Sequence, residues 1–215
     1  MWRIMKKNMN FFVFYFAIIA CLIVILRLMT GNEVSAVFVI ISGILVFLLV
    51  FGSTFTNEQY EEKNKGYMFL DTLPVSTREI VEAKYALVLL MVGICVGFLV
   101  ILISFSAGAP ESIVLARSYV LFMGVVCLIL AGVNYVGIFA LGFTKFLVVV
   151  GFGWVILSLV PMVVLRTYQG RMDTVKEAVV NFFTGIDWLV VIPLALVVYF
   201  ILLLVATKVR HLKST

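Results

Sequence analysis

The sequence predicts an all-α integral membrane protein with six transmembrane helices. Hydrophobic residues make up 64% of the 215-residue chain, well above the roughly 45–50% of soluble globular domains. Six apolar stretches reach the length of about 20 residues that carries a helix across a hydrocarbon core of about 30 Å. The charge is also gathered rather than spread. The segment 58–84 alone holds six of the eleven acidic residues, together with Lys63, Lys65, Arg78 and Lys84.

The first span covers 11–29 and carries one charge, Arg27, near its end, where a long side chain reaches the interface. Before it, residues 1–10 mix Arg3, Lys6 and Lys7 with Trp2, Ile4, Met5 and Met9, a pattern suited to a short helix lying along the inner interface. A cleaved signal peptide would need small residues near its end, where Arg27 and Met29 stand instead. The second span, 34–56, contains no charged residue.

The connection 57–84 follows. Its first part reads as a helix continuing out of the second span, with Glu61 and Lys65 at i,i+4 spacing. Then comes the apolar knuckle from Gly66 through Tyr67, Met68, Phe69 and Leu70, too short to span and set among charges. Pro74 ends the helix, since proline lacks an N–H and restricts the residue before it. Ser76 and Glu79 have the spacing of a capping box that starts a new helix running through Lys84 and Tyr85 into the third span. Charge alone suits a solvated loop; Tyr67, Phe69, Leu70 and Leu73 call for a partner surface.

Spans three to five, 85–109, 118–144 and 146–165, are free of charge. Gly93 and Gly97 form a GxxxG pattern that permits close helix approach, and Gly132, Gly137 and Gly142 recur five apart. Pro161 and Pro193 are expected to kink or locally break their helices. Ser104, Asn134 and Tyr135 are candidates for lining a pathway, although interhelical hydrogen bonding is the favoured explanation for polar side chains at that depth. In the outer segment 166–187, Thr174 and Glu177 fit a second capping box, and Val175, Val179, Phe182 and Ile186 recur at helical spacing up to a stop near Gly185. This is a short amphipathic helix ahead of the last span, 188–206; Val179, Phe182 and Phe183 are candidates for an outer lid.

With the N-terminus inside, eleven of the sixteen basic residues fall in the cytoplasm, and six spans return the C-terminus there. The +5 charge is therefore a topology signal, and no nucleic-acid module accompanies it. Cys21, Cys95 and Cys127 all lie in spans, which argues for packing rather than a disulfide framework or zinc. The absence of Asp, Glu or His from mid-span positions argues against proton- or sodium-coupled transport. Residues 137–145 resemble a phosphate loop only superficially, because Phe143 stands where the lysine belongs. The pair Glu61–Glu62 suggests an intramembrane protease, but the sole histidine, His211, is in the tail. A non-ABC transporter or channel subunit leaves the apolar knuckle unexplained.

The run from Glu62 to Tyr85 resembles the cytoplasmic signature of ABC-2-type permeases through Leu73, Pro74, Val75, Ser76, Glu79, Ile80, Val81, Ala83, Lys84 and Tyr85, with Thr77 inserted before Arg78. Within that family the chain is most similar to permease subunits of phenol-soluble-modulin exporters and related antimicrobial-peptide transporters. The resemblance implies an exporter-type transmembrane domain with a cytoplasmic coupling helix and a short extracellular helix before the last span. It implies a plasma-membrane protein that is not itself an enzyme, paired with a second copy or a homologous permease. A separate ATP-binding cassette subunit would hold ATP and magnesium. Amphipathic peptides would be the cargo, entering from among membrane lipids. The residues it assigns to coupling are Glu61, Glu62, Gly66, Tyr67, Phe69, Leu70, Thr72, Leu73, Pro74 and Arg78, with Glu61, Glu62 and Arg78 forming the polar rim of an apolar knob.

Overall fold

The computed structural model describes residues 2–30, 36–63, 76–106, 109–150 and 180–214. Helices account for nearly all of them: α1 Trp2–Thr30, α2 Ala36–Lys63, α3 Thr77–Ser104, α4 Pro110–Leu141, α5 over 143–150, α6 over 180–185, and α7 Trp188–Ser214. Among the described residues, four helices are long and apolar enough to cross a membrane: Phe38–Lys63, Thr77–Ser104, Pro110–Leu141 and Trp188–Leu212. A shorter apolar helix covers Phe12–Leu28. Most of the expected span 146–165 lies outside the described residues.

Helix ends depart from the hydropathy edges for local reasons. The third helix begins eight residues before its apolar run, at Thr77, because Ser76 caps it. The Ser76 hydroxyl accepts from the Glu79 N–H at 3.2 Å, and the Ser76 N–H donates to the Glu79 carboxylate at 3.1 Å. These two bonds satisfy N-terminal groups that the helix itself leaves unpaired. The fourth helix likewise starts before its uncharged run, at Pro110, whose fixed φ suits the first helical position. It stops at Gly142, which takes φ 83°, a left-handed conformation that glycine adopts without a steric penalty. Asp187 accepts from the Leu189 N–H at 3.0 Å at the start of α7, which then runs unbroken through Pro193.

Two expectations are corrected here. Residues 2–10 are not a separate interfacial helix; they continue into α1 as one helix of 29 residues, since no glycine or proline interrupts the run. At about 1.5 Å per residue such a helix exceeds the hydrocarbon core, so its first turns project beyond it. Nor, among the described residues, does the GxxxG of α3 meet another helix: a Cβ at Gly93 or Gly97 would find none of their atoms within 4 Å. Gly93 instead helps to line an open, wholly apolar groove of about 170 Å³ between α3, α4 and α7, with Gly124 and Ala195 also in its lining.

Close helix approach occurs elsewhere. A Cβ at Gly132 would lie 2.9 Å from Leu202 and 3.1 Å from Tyr199, and one at Gly137 would lie 2.3 Å from the Phe146 ring. These two glycines let α4 take α7 on one side and α5 on another. The fourth helix is accordingly the centre of the bundle: it packs on α2, α3 and most extensively α7, while α1 packs on α2 and α3. Helix α3 runs opposite to α2 and to α4, while α7 runs alongside α4 in the same direction, with Trp188 beside Ser118 and Arg210 beside Phe139, so each end of the bundle has its own set of contacts. At the far end, where α3 passes to α4, Trp188 donates to Ser118 at 3.2 Å and Arg117 to Ser104 at 3.0 Å.

These distances set up a contrast. Gly137→Val should destabilise the protein by about 1–3 kcal/mol through overpacking. Gly93→Ala should be neutral or stabilising, because alanine is the better helix former and the space is open. Thermal unfolding in detergent micelles checks both.

Candidate functional site

The near end of the bundle, where α2 gives way to the connection and α3 begins, concentrates the polar side chains. Glu58 and Glu61 are three apart on the last turns of α2, so they share one face. Lys84 stands two turns into α3. All three are buried to within about 1% of full enclosure. The Lys84 ammonium donates to Glu58 and, at 2.8 Å, to Glu61. An ammonium has three N–H donors, so one lysine serves two carboxylates. Three cation–ring contacts border the cluster. Lys84 Nζ lies 5.9 Å from the Tyr135 ring centre and 5.8 Å from that of Phe139; Arg210 of α7 lies 5.4 Å from the same Phe139 ring.

The next residue in the chain ties the other side. The Tyr85 hydroxyl donates toward the Gly132 carbonyl at 2.8 Å and the Leu202 carbonyl at 3.2 Å, and the Tyr199 hydroxyl donates to the Tyr85 carbonyl at 2.8 Å. The Tyr85 ring packs against Tyr199 and Tyr135, with centroids 5.0 Å and 5.6 Å apart. Neighbouring helical residues point about 100° apart, so Lys84 faces α2 while Tyr85 faces α4 and α7. Four helices thus meet at two consecutive side chains. The close approach at Gly132 brings Tyr199 into range, which explains why a small residue is required at that point of α4.

The expected site residues fall into several groups. Gly66, Tyr67, Phe69, Leu70, Thr72, Leu73 and Pro74 lie outside the described residues, as do Lys65 and Val179. Glu61 was expected on an exposed rim; it is enclosed and held by Lys84, while its expected pairing with Lys65 falls outside the described residues. Glu62 is exposed and accepts from the Thr144 hydroxyl of α5 at 2.7 Å. Arg78 is exposed and paired with Glu82 at 2.6 Å along the same helix. Ser104 is at the far end, with its hydroxyl donating to the Val100 carbonyl at 2.6 Å and accepting from Arg117. Tyr135 is buried in the near-end cluster, and Asn134 beside it is half-buried. Ser104 and Tyr135 therefore stand at opposite ends of the bundle. Phe182 and Phe183 of α6 pack edge-on against Phe122, and Phe183 also against Tyr119, at centroid distances of 5.5–6.0 Å.

Among the described residues, no group of three or more His, Cys, Asp or Glu is placed to hold a metal ion. The near-end cluster is an ion-paired brace between α2 and α3. The comparison with known families settles the class. The family of ABC-2 family transporter proteins matches residues 3–209. The chain belongs to this family. It is a multi-pass membrane component of the ABC-2 transporter class, a family whose permeases generally work with an ATP-binding subunit. No curated protein and no solved structure matches it.

The residues that sequence reading missed are Lys84, Tyr85, Tyr199, Phe139 and Arg210 as one assembly. Lys84 and Tyr85 were visible only as part of a family pattern. Two signals pointed further: two acids one helical turn apart at the end of a span, and a lysine at the edge of the next apolar run.

Removing one member of a buried ion cluster leaves an uncompensated charge, at a cost of about 3–5 kcal/mol. Lys84→Met should lower stability by that order. The neutral triple variant Glu58→Gln, Glu61→Gln, Lys84→Met should lose clearly less, because no buried charge remains. Unfolding curves of the two variants, compared with wild type in one detergent, check the ordering.

Proposed function

We propose that this chain is the permease subunit of an ATP-driven exporter, that its 57–84 connection docks on a separate ATP-binding subunit at the cytoplasmic side, and that its cargo is amphipathic peptides. The observation that carries the reading is the brace beneath the connection: the two helices that lead into and out of it are tied together by buried charge and tied onward to the bundle. A connection that only links two spans has no need of such a foundation. The family supplies the partner class, and the run of Tyr67, Phe69, Leu70 and Leu73 supplies an apolar knob suited to a groove on that partner. Glu62 and Arg78 remain as the polar rim. Exposed charges of this kind act mainly on association rate and salt sensitivity.

In this reading the pathway lies between two permease copies, the helix ahead of α7 is extracellular, and Phe182 and Phe183 belong to an outer lid resting on Phe122. The cargo class rests on the absence of charge at mid-span and on the subfamily resemblance.

Interface energy concentrates in a few buried anchors, each costing on the order of 2 kcal/mol or more when truncated. The double substitution Tyr67→Ala, Leu70→Ala should therefore abolish co-purification of the ATP-binding subunit while the chain still inserts in the membrane. Full partner binding by that variant would remove the docking role from the connection. For orientation, single cysteines at Lys65 and Ser214 in a cysteine-free background should resist an impermeant thiol reagent in intact cells, and one at Asp173 should react.

Cargo class is tested by ATPase activity of the purified complex in lipid vesicles. Amphipathic helical peptides should stimulate it and small hydrophilic solutes should not. The reverse result would retire the peptide assignment and leave the permease assignment standing.

A further inference from the structure

We propose that Lys84 is a positioning residue that clamps the two arms of the 57–84 connection into one rigid lever, so that displacement of the loop tip reaches α4 and α7 instead of being absorbed between the arms. The proposal rests on the docking reading above and adds the means by which force leaves the loop.

Three observations support it. First, among the described residues a second bond between the arms' helices is a weak one, from the Ser53 hydroxyl to the Met91 sulfur at 3.5 Å. Helices α2 and α3 share only a short contact, far less than either makes with its main partner. The Lys84 ammonium crosses that gap to Glu58 and Glu61 on successive turns of α2. Two attachments one turn apart fix an angle as well as a distance. Secondly, the clamp adjoins the load path. Tyr85 bonds the carbonyls of Gly132 and Leu202, and Tyr199 bonds the Tyr85 carbonyl, so motion of the first turns of α3 is delivered to α4 and α7 at the adjacent residue. Thirdly, stability is a poor explanation for the cluster. Well-packed apolar residues of similar volume often do as well or better than a buried ion pair, whose best-attested benefit is a specified arrangement. Directional hydrogen bonds in a low-dielectric setting resist shear between helices in a way that apolar contacts, being non-directional, do not.

The test reads the spacing of the arms directly. Nitroxide labels are placed at Lys63 and Arg78, both exposed, through cysteines in a background with Cys21, Cys95 and Cys127 replaced by alanine. The full chain is reconstituted in phosphatidylethanolamine–phosphatidylglycerol vesicles, and the label separation is measured by pulsed electron-spin resonance. The Lys84-containing chain should give one narrow distribution. Lys84→Met should broaden it, and Lys84→Arg, which keeps the charge and several donors, should restore it. The neutral variant Glu58→Gln, Glu61→Gln, Lys84→Met should also be broad, and it decides the matter if Lys84→Met does not fold. In complex with the ATP-binding subunit that co-purifies with the wild-type chain, the neutral variant should keep partner binding and lose stimulation of ATPase activity. A distribution in the neutral variant as narrow as wild type overturns the clamp, as does retained stimulation. Failure of the docking reading is seen separately, as full partner binding when Tyr67 and Leu70 are alanine.

Discussion

One lysine between two glutamates, enclosed at the junction of α2 and α3, is the constraint on which the rest of the bundle depends. A charge at that depth has no water to solvate it, so its partners are obligatory and their positions follow. Once Glu58 and Glu61 are committed to Lys84, the rotation of α2 about its axis is fixed at its lower end, and so is the depth at which α3 enters. Tyr85 is then bound to face α4 and α7. The aromatic side chains of Tyr135, Phe139 and Tyr199 complete the enclosure that makes the charges obligatory in the first place. The cluster and its surroundings are mutually supporting.

The glycines of α4 are the counterpart on the opposite side. Gly132 admits Tyr199 and Leu202, and Gly137 admits Phe146. Without those approaches, the Tyr85 hydroxyl would not span from one helix carbonyl to another. In a membrane the lipid is as apolar as leucine, so helices gain little from hydrophobic sorting and associate through close packing and hydrogen bonds. The bundle uses both within one turn of α4. Polar bonds and aromatic rings gather at both ends of the bundle, with apolar contact between them.

What was legible in the sequence was local. Ser76 and Glu79 are the two ends of one four-residue motif, and their reciprocal bonds could be read from spacing alone. The apolar runs located the membrane helices because composition at that length has few other meanings. The misreadings share a cause. Gly93 and Gly97 announce that a helix can come close; whether one does is decided by residues elsewhere in the chain. Glu61 was placed on an exposed rim, yet it is buried against Lys84, 23 residues away, and no periodicity connects the two. Helix ends moved because apolar composition marks the membrane and capping marks the helix, and at Thr77 and Pro110 the two differ by about two turns. The knob from Tyr67 to Leu73 was singled out for being apolar among charges, and its placement is for the solution experiments to read.

The groove beside α7 has a mechanical corollary. This helix is fastened near its first residue by the bond from Trp188 to Ser118 and again at Tyr199, eleven residues later. Between the fastenings it passes Pro193, which supplies no N–H to the helix ladder, and Ile192, Ala195 and Leu196 line the open groove that α7 shares with α3 and α4. A rod pinned at two points, with one missing strut beside an open groove, bows most readily at the stretch between the pins. Curvature in α7 is therefore cheaper there than at the two fastenings, and a change in the shape of the bundle at that level is concentrated in that single stretch of helix.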